Sequence, residues 1–148
     1  MPQTLSFNLV HIIFSTKHRA PLINADIITG LHAYLAGTAR KLDCECFRAG
    51  GIADHVHLAV KLPTTRTAAK TVSEIKTSSS AWMKDHGVAD FAWQRGYGLF
   101  SVGPADLGAL IAYIDGQEAH HRKRDFEGEM RAFLEKYHIA FDERYVWD

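Results

Sequence analysis

At the centre of this chain of 148 residues stands the stretch Asp54-His55-Val56-His57-Leu58-Ala59-Val60-Lys61-Leu62. Successive side chains of a strand point to opposite faces, so its valines and leucines would share one face and its two histidines the other. The pattern therefore predicts a strand that buries one face in a core and ends at Pro63. His55 and His57 would project from the other face about 6–7 Å apart, close enough to hold one ion.

Two histidines alone form an incomplete metal site. Metal ions in proteins normally have three or more ligands, and neighbouring groups hold those ligands in place. A pair of ordinary histidines on the surface of a sheet is therefore the plain alternative for His55 and His57. A further ligand from another element would favour the metal site.

The elements on either side of this strand are predicted from apolar spacing, caps and turn residues. They are a strand from Leu5 to Ser15, a helix from a cap at Asp26 to Leu42, a strand from about Glu45 to Ala49, a helix from about Thr67 to Asp85, a strand entered through the Gly-rich stretch 93–102, a helix from Pro104 to about His121, and a short helix capped by Asp125 that ends at Lys136.

This order of elements is typical of the ferredoxin-like fold, also described as RRM-like or split βαβ. The fold class predicted is α+β, with an antiparallel sheet, helices packed on one face and a C-terminal helix that carries Tyr113. The whole chain, residues 1–148, is expected to form one domain, because about 150 residues is a usual domain size.

Composition excludes several classes of protein. The chain is 47% hydrophobic and 23% charged, which is too apolar and too varied for a disordered protein. It has no run of about 20 apolar residues that could span a bilayer and no secretory signal, so no membrane partner and a cytoplasmic location are expected. Cys44 and Cys46 are expected to be reduced thiols in the sheet.

The charges balance overall, with 17 Lys and Arg against 17 Asp and Glu, but they are unevenly placed. Residues 1–100 contain 11 basic and 7 acidic residues, an excess of four positive charges that the remaining residues offset. A local basic surface for nucleic acid is therefore compatible with the neutral total. Three clusters could supply it or could simply be solvated: Lys17/Arg19, Arg66/Lys70/Lys76 and Arg122/Lys123/Arg124.

The late helix adds polar side chains at helical spacing. Tyr113, Gln117 and His120 fall on one stripe, beside the apolar stripe that faces the core. A tyrosine at such a boundary can act as a nucleophile, or it can pack its ring and leave its hydroxyl in water. Gly116 lies inside the predicted helix, where it costs about 1 kcal/mol against Ala and indicates close approach to the backbone.

Taken together, the motifs of this chain resemble those of the single-tyrosine transposases of the His-hydrophobe-His nuclease superfamily. These include small insertion-sequence transposases and REP-associated tyrosine transposases. The resemblance extends over nearly the whole chain and rests on these stretches: Phe14-Ser15-Thr16-Lys17-His18-Arg19, Asp54-His55-Val56-His57-Leu58 after a Gly-Gly turn, Ile75-Lys76-Thr77-Ser78-Ser79, Trp93-Gln94-Arg95-Gly96-Tyr97-Gly98 before Phe100-Ser101-Val102, and Tyr113-Ile114-Asp115-Gly116-Gln117.

The resemblance implies a role for each matching residue. His55, His57 and Gln117 would be ligands of Mg²⁺ or Mn²⁺, and Tyr113 would attack a DNA phosphate to give a 5′-phosphotyrosine and a free 3′-hydroxyl. The substrate would be single-stranded DNA with a hairpin, and the protein would be a homodimer whose subunits share their active sites. Gly116 stands where a polar residue such as Asn is expected, and Thr77 where Gly is expected. Neither departure removes a catalytic group.

Single-stranded DNA is bound by basic side chains that follow the phosphates and by aromatic faces on which bases stack. The candidate DNA contacts are Lys17, Arg19, Lys76 and Arg95, and His120 and His121 are auxiliary candidates at the catalytic site. Two alternatives stay open from the sequence. One is a ferredoxin-like nucleic-acid-binding protein without catalysis, and the other is a metal-dependent hydrolase that uses water as its nucleophile.

Overall fold

The computed structural model describes residues 2–148 and contains one antiparallel sheet. Its strands are β1 (Asn8–Ser15), β2 (Glu45–Ile52), β3 (His55–Leu62) and β4 (Gly98–Ser101), in the order β2-β3-β1-β4. The two central strands pair so that Phe14 lies opposite Val56 and Ile13 lies opposite His57. This topology confirms the predicted α+β, ferredoxin-like sheet.

Two long helices cover the apolar face of the sheet. They are α1 (Ile28–Lys41) and α2 (Ala68–Asp85), and both pack on the main core cluster. The helix predicted from about Thr67 to Asp85 is confirmed as α2, and Thr67 caps it: its hydroxyl accepts a hydrogen bond of 3.2 Å from the Lys70 N–H. The predicted cap of α1 at Asp26 is wrong, because the helix begins at Ile28 and has no side-chain cap.

Residues 77–80 of α2, Thr-Ser-Ser-Ser, are poor helix formers, and the packing of Ser79 explains one of them. Ser79 is fully buried and donates to the carbonyl of Ile75, 2.7 Å away, while its oxygen accepts a hydrogen bond of 2.9 Å from Trp93 Nε1. The indole of Trp93 in turn packs edge-on against Phe14. A small hydroxyl at Ser79 therefore fixes the stretch before β4 against the core, at the cost of helix propensity.

Three helices lie after β4: α3 (Leu107–Asp115), α4 (Gln117–His121) and α5 (Phe126–Lys136). The prediction of one helix from Pro104 to about His121 is wrong. A 3-10 turn occupies Pro104–Asp106, and the helix is interrupted at Gly116, whose φ of −92° and ψ of 16° are not helical. Asp125 caps α5 as predicted and accepts a hydrogen bond of 2.8 Å from Gly128 N–H.

These C-terminal helices form a second layer on the opposite face of the sheet. Leu110 and Ile114 of α3 pack on Ala59, and Phe126 and Met130 of α5 pack on Ile13. The packing of helices on one face therefore holds for α1 and α2, and the C-terminal helices, including the one that carries Tyr113, cover the other. The physical reason is that this face also carries apolar side chains, such as Ile13 and Ala59, which are buried only if helices pack on it.

The strand boundaries differ from the prediction at two ends. β1 begins at Asn8 rather than Leu5, and Leu5 is 84% exposed. β2 continues through the Gly-Gly pair to Ile52, and Gly51 takes a φ of 139° that side chains rarely adopt. Cys44 and Cys46 are buried free thiols, as expected. Among residues 2–148, no helix is both long and apolar enough to cross a membrane.

Candidate functional site

His55 and His57 lie side by side on β3, on the face of the sheet that the C-terminal helices cover. Both are fully buried, and their ring centroids are 5.0 Å apart. Nδ1 of His55 is 2.7 Å from a carboxylate oxygen of Asp54, and Nδ1 of His57 is 2.7 Å from Nε2 of His11. These contacts at Nδ1 leave the Nε2 atoms of both rings to face the C-terminal helices.

Two side chains of α4 reach the same place. Oε1 of Gln117 lies 3.0 Å from His55 Nε2 and 2.9 Å from His121 Nε2. The spacing of four residues places Gln117 and His121 on one face of this short helix. The structure thus brings together His55, His57 and Gln117, which the resemblance assigns to the metal, and His121, one of the two auxiliary candidates.

Glu129 of α5 completes the cluster, and sequence reasoning missed it. Its Oε1 atom lies 3.3 Å from Nε2 of His55, 3.2 Å from that of His57 and 3.3 Å from that of His121. The side chain is 3% exposed. One signal could have found it: Glu129 lies between Phe126 and Met130 on the buried stripe of α5, where a lone carboxylate needs a partner.

His11 was also missed as part of this group. It lies on β1, is 2% exposed, and stacks on His57 with ring centroids 5.0 Å apart. Burial and the nearby His57 lower the pKa of His11 to about 3, so it is neutral and positions His57 without adding charge. A polar residue in a strand that is otherwise apolar on both faces was the available signal.

Tyr113 stands at the end of α3, beside the histidines of the same chain. Its hydroxyl donates a hydrogen bond to Oε2 of Glu129, and its ring centroid is 5.8 Å from that of His57. Gln117 Nε2 donates to the same carboxylate oxygen over 3.2 Å. Burial and the carboxylate of Glu129 raise the pKa of Tyr113 above its usual range. The phenol is therefore protonated at neutral pH.

Opposing effects set the charges inside the cluster. Burial acts to lower the pKa of His55, but the hydrogen bond with Asp54 and the nearby carboxylate of Glu129 outweigh it and raise that pKa to about 9. Burial lowers the pKa of His57. Burial opposes ionisation of Glu129, yet the close contacts with the histidines hold its pKa well below the usual range. The cluster thus contains a carboxylate balanced by at least one imidazolium.

The donor atoms of this cluster fit a metal ion. The ligand atoms of His55, His121 and Glu129 all lie within 4.8 Å of one another. In addition, Nε2 of His57 and Oε1 of Glu129 are buried and have no partner with hydrogen-bond geometry. Buried polar atoms without partners are costly, and a cation between them would satisfy both. The cluster can therefore bind a metal ion.

A cavity of about 370 Å³ opens directly onto the cluster, and its lining includes Tyr113, His121 and Glu129. Lys123 and Arg124, from the loop between α4 and α5, line the same cavity. His120 also faces it and packs against Tyr113, with ring centroids 4.6 Å apart. The cavity thus places basic side chains next to the tyrosine hydroxyl.

The four candidate DNA contacts fall into two groups. Lys17, Arg19 and Arg95 line one cavity of about 390 Å³ together with Trp93. Arg19 pairs with Glu127 at 3.2 Å and Arg95 with Asp148 at 3.5 Å, whereas Lys17 is exposed. Lys76 lines a different cavity, of about 650 Å³, together with Arg95. Its ammonium donates to the carbonyls of Gln94, Arg95 and Gly96 over 2.7, 3.1 and 2.7 Å. All three of its donors are therefore used in holding this loop.

Comparison with known proteins gives the relationships of the chain. The family described as "Transposase IS200 like" matches residues 6–117. A candidate transposase from Deinococcus radiodurans R1 has a similar structure, with a TM-score of 0.64, 19% identity, and coverage of 79% of this chain and 95% of that one. A REP-associated tyrosine transposase bound to a REP hairpin is also similar, with a TM-score of 0.60, 14% identity, and coverage of 82% and 74%. No curated protein matches the chain.

Proposed function

Because the chain belongs to the IS200-like transposase family, we propose that it cleaves and rejoins single-stranded DNA at ends that carry a hairpin, using Tyr113 as the nucleophile. The observation that carries this proposal is the position of the Tyr113 hydroxyl. It lies in the same buried cluster as His55 and His57, hydrogen-bonded to a carboxylate that contacts both histidines. A tyrosine whose ring served only for packing would not need its hydroxyl hydrogen-bonded to a buried carboxylate.

In the proposed reaction, the phenolic oxygen of Tyr113 attacks the phosphorus atom of a DNA strand. A bond forms between that oxygen and phosphorus, and the bond from phosphorus to the 3′ oxygen breaks. Glu129 Oε2 accepts the hydrogen bond of the phenol and orients its oxygen, and the phenolic proton passes to water as the bond to phosphorus forms. The departing 3′ oxygen takes a proton from water. Attack of a 3′-hydroxyl on the phosphotyrosine then rejoins a strand, with no other source of energy.

The family resemblance assigns a metal ion to this site. Bound by His55, His57 and Gln117, Mg²⁺ or Mn²⁺ would polarise a phosphoryl oxygen and align the bond to be broken. The unpartnered atoms of His57 and Glu129 and the convergence of nitrogen and oxygen donors support such an ion. The side chains themselves orient one another through the contacts of His55 with Asp54 and of His57 with His11.

The cavity at Tyr113 supports the access of a phosphate group. Lys123 and Arg124 line it, and cations at the mouth of such a cavity attract phosphate and neutralise its charge. Lys17, Arg19 and Arg95 line a second cavity that could follow the strand further. The structural neighbour that was determined with a REP hairpin supports a hairpin as the DNA partner.

The position of Tyr113 beside the histidines of its own chain is relevant to the proposed homodimer with shared sites. Tyr113, His55, His57 and Glu129 come together within a single chain, which supports a site formed by one chain over a site shared between subunits. An exchange of α3 between subunits would have to break the hydrogen bond between Tyr113 and Glu129 and form it again across the dimer. The dimer itself stays a proposal drawn from the family resemblance.

The experiment that tests the function looks for a covalent adduct. Purified protein is incubated with end-labelled single-stranded DNA that contains a hairpin and with Mg²⁺ or Mn²⁺, and is then denatured. We expect label to migrate with the protein in the parental chain and not in Tyr113→Phe. Cleavage without any adduct would favour a hydrolase that uses water, and binding without cleavage would favour a nucleic-acid-binding protein.

A further inference from the structure

We infer that a second cavity beside Tyr113 binds one nucleobase, and that it prefers a base with an exocyclic amino group over thymine or uracil. The base belongs to a nucleotide next to the phosphate that Tyr113 attacks. Only this position along the DNA strand rests on the proposed function. The binding of a nucleotide in the cavity can be measured without any cleavage of DNA.

The place of this cavity is the first observation. It lies between α3 and α5 and has a volume of about 610 Å³, which is within the range of sites for small molecules. It shares Tyr113 as a lining residue with the basic cavity that Lys123 and Arg124 line. A nucleotide whose phosphate lies at the Tyr113 hydroxyl in the basic cavity therefore has this second cavity within reach of its base or of the next one.

The aromatic wall of the cavity is the second observation. Phe133 of α5 and Tyr137, which follows this helix, line the cavity and are only half-buried. Both rings pack on Phe100, with centroids 5.3 and 4.9 Å apart. Val102 and Leu110 add aliphatic surface to the lining. Nucleobases stack on aromatic side chains, and rings that are already held in place lose little freedom when a base binds.

Two charged side chains at the cavity are the third observation. Asp106, just before α3, and Lys136, the last residue of α5, are exposed and line the cavity. Within residues 2–148, neither of them forms an ion pair, although their charges are opposite. A carboxylate and an ammonium group are therefore both available to a ligand that enters between them.

The carboxylate of Asp106 sets the preference for an amino group. An ionised carboxylate only accepts hydrogen bonds, and the amino groups of cytosine, adenine and guanine donate them. Where cytosine has its amino group, thymine and uracil have an oxygen, which is itself an acceptor and is repelled by a carboxylate. The ammonium group of Lys136 attracts a phosphate of the same strand. Stacking surface, one acceptor and one cation together suit a nucleotide.

The test uses the mononucleotides dCMP and dUMP, which differ at one edge of the ring, where dCMP has an amino group and dUMP has an oxygen. The full chain, isotope-labelled and kept in a chelator, is titrated with each nucleotide and followed by nuclear magnetic resonance of its backbone amides. We expect the amides of Val102, Ala109 and Tyr137 to shift. The affinity for dCMP should exceed that for dUMP at least about fivefold, because only dCMP donates to Asp106.

Asp106→Asn is the first variant, since it keeps the size of the side chain and replaces an acceptor by a group that both donates and accepts. The affinities for dCMP and dUMP should then come within about twofold of each other. Asp90→Asn is the matched control, because Asp90 is exposed and lies outside the cavity. It should keep the parental preference for dCMP.

Ala109→Phe is the second variant, and it fills the cavity without removing any packed side chain. Ala109 is exposed on α3 and lines the cavity, so a ring at this position should weaken dCMP binding at least about tenfold. Ala112→Phe is the matched control, because Ala112 is exposed on the same helix but does not line the cavity. It should bind dCMP like the parental chain. Circular dichroism of each variant establishes that it is folded.

Several results would overturn the inference: no shift with either nucleotide in the folded parental chain, equal affinities for dCMP and dUMP, or parental binding of dCMP to folded Ala109→Phe. Amide shifts confined to the basic cavity around Lys123 and Arg124 would also overturn it, since inorganic phosphate, titrated in parallel, would account for them.

Failure of the proposed function would look different. Binding of dCMP in the cavity without any DNA adduct in the parental chain would reject the cleavage reaction and leave the nucleotide site intact. Where the adduct forms, its yield should be higher with cytosine than with uracil at one of the two positions beside the cleaved phosphate, and Asp106→Asn should remove this difference. Equal yields in the parental chain would show that the base in the cavity is not next to that phosphate.

Discussion

Oε2 of Glu129 accepts a hydrogen bond from the phenol of Tyr113, while Oε1 of the same carboxylate lies 3.2 Å from Nε2 of His57. One side chain therefore connects the proposed nucleophile with the histidine cluster. The connection lies within a single chain and spans α5, α3 and β3.

Replacing either histidine of β3 should abolish cleavage and preserve the fold. His55→Ala or His57→Ala removes a ligand, but the core face of β3, formed by Val56, Leu58 and Val60, is unchanged. His57→Ala also leaves His11 without its partner, at a cost of about 1–3 kcal/mol. Gel assays of DNA cleavage, DNA-binding assays and thermal unfolding measure these effects. Cleavage at the parental rate with limiting Mn²⁺ would contradict the assignment.

Tyr113→Phe removes one oxygen and keeps the ring. Stability should change by no more than about 1 kcal/mol, because Glu129 Oε2 keeps its hydrogen bond from Gln117 Nε2. The covalent adduct should disappear. Chemical denaturation and the adduct assay measure the two effects on the same preparation. An adduct of equal yield in Tyr113→Phe would direct attention to Tyr97, Tyr137 or Tyr145 instead.

Mixing two inactive variants distinguishes sites formed within one chain from shared sites. In a mixture of His57→Ala and Tyr113→Phe subunits, a shared site would restore activity, because one site would combine both intact histidines with the intact tyrosine. The geometry of the single chain predicts no recovery. Mass spectrometry or differently tagged subunits must first show whether mixed dimers form. Activity recovered in verified mixed dimers would show that the tyrosine acts across the interface.

Arg124→Gln should weaken the binding of single-stranded DNA more than Arg122→Gln does. Arg124 lines the cavity at Tyr113, whereas the neighbouring Arg122 lines a different cavity together with Ile23 and Glu118. Loss of one phosphate contact should also reduce the salt dependence of binding by about one unit of slope. Fluorescence anisotropy at several salt concentrations provides the measurement. Equal effects of the two substitutions would place the DNA elsewhere.

Gly51→Ala should destabilise the protein and impair the site. A Cβ atom at Gly51 would lie 2.3 Å from the His55 carbonyl oxygen, and the φ of 139° strains any side chain, so a loss of about 1–3 kcal/mol is expected. Gly37→Ala is the matched control in α1, where a Cβ meets nothing within 4 Å and should stabilise the helix by about 1 kcal/mol. Unfolding by urea measures both. A Gly51→Ala chain as stable as the parental one would contradict the steric argument.

Local patterns predicted much of the fold. The alternation along β3 depends on neighbouring residues only, and it correctly placed Val56 and His57 on opposite faces of the sheet. The start of β1 could not be predicted in this way, because Leu5 is apolar but has no strand beside it. The interruption of the helix at Gly116 was not predicted either. An isolated Gly only weakens a helix, and tertiary packing decides whether the chain bends there.

The candidate site was predicted incompletely for a related reason. His55, His57 and Gln117 belong to short motifs, whereas Glu129 reaches the cluster only because α5 folds back over the sheet. The spacing of residues along the chain gives no information on a contact between elements that are distant in sequence. Lys76 is a similar case: its charge indicated a DNA contact, which stays a prediction, but no local pattern could indicate the three carbonyls to which its ammonium group donates.

The two faces of the sheet bury different kinds of side chain. One face contains the main apolar core under α1 and α2, and the other contains His11, His55 and His57 under the C-terminal helices. Substitutions that remove the proposed cleavage could therefore be made on the second face while the core under α1 and α2 is kept. A chain without the proposed cleavage would still be a folded protein with basic cavities. The two-sided sheet would thus separate the proposed chemistry from the burial that holds the fold together.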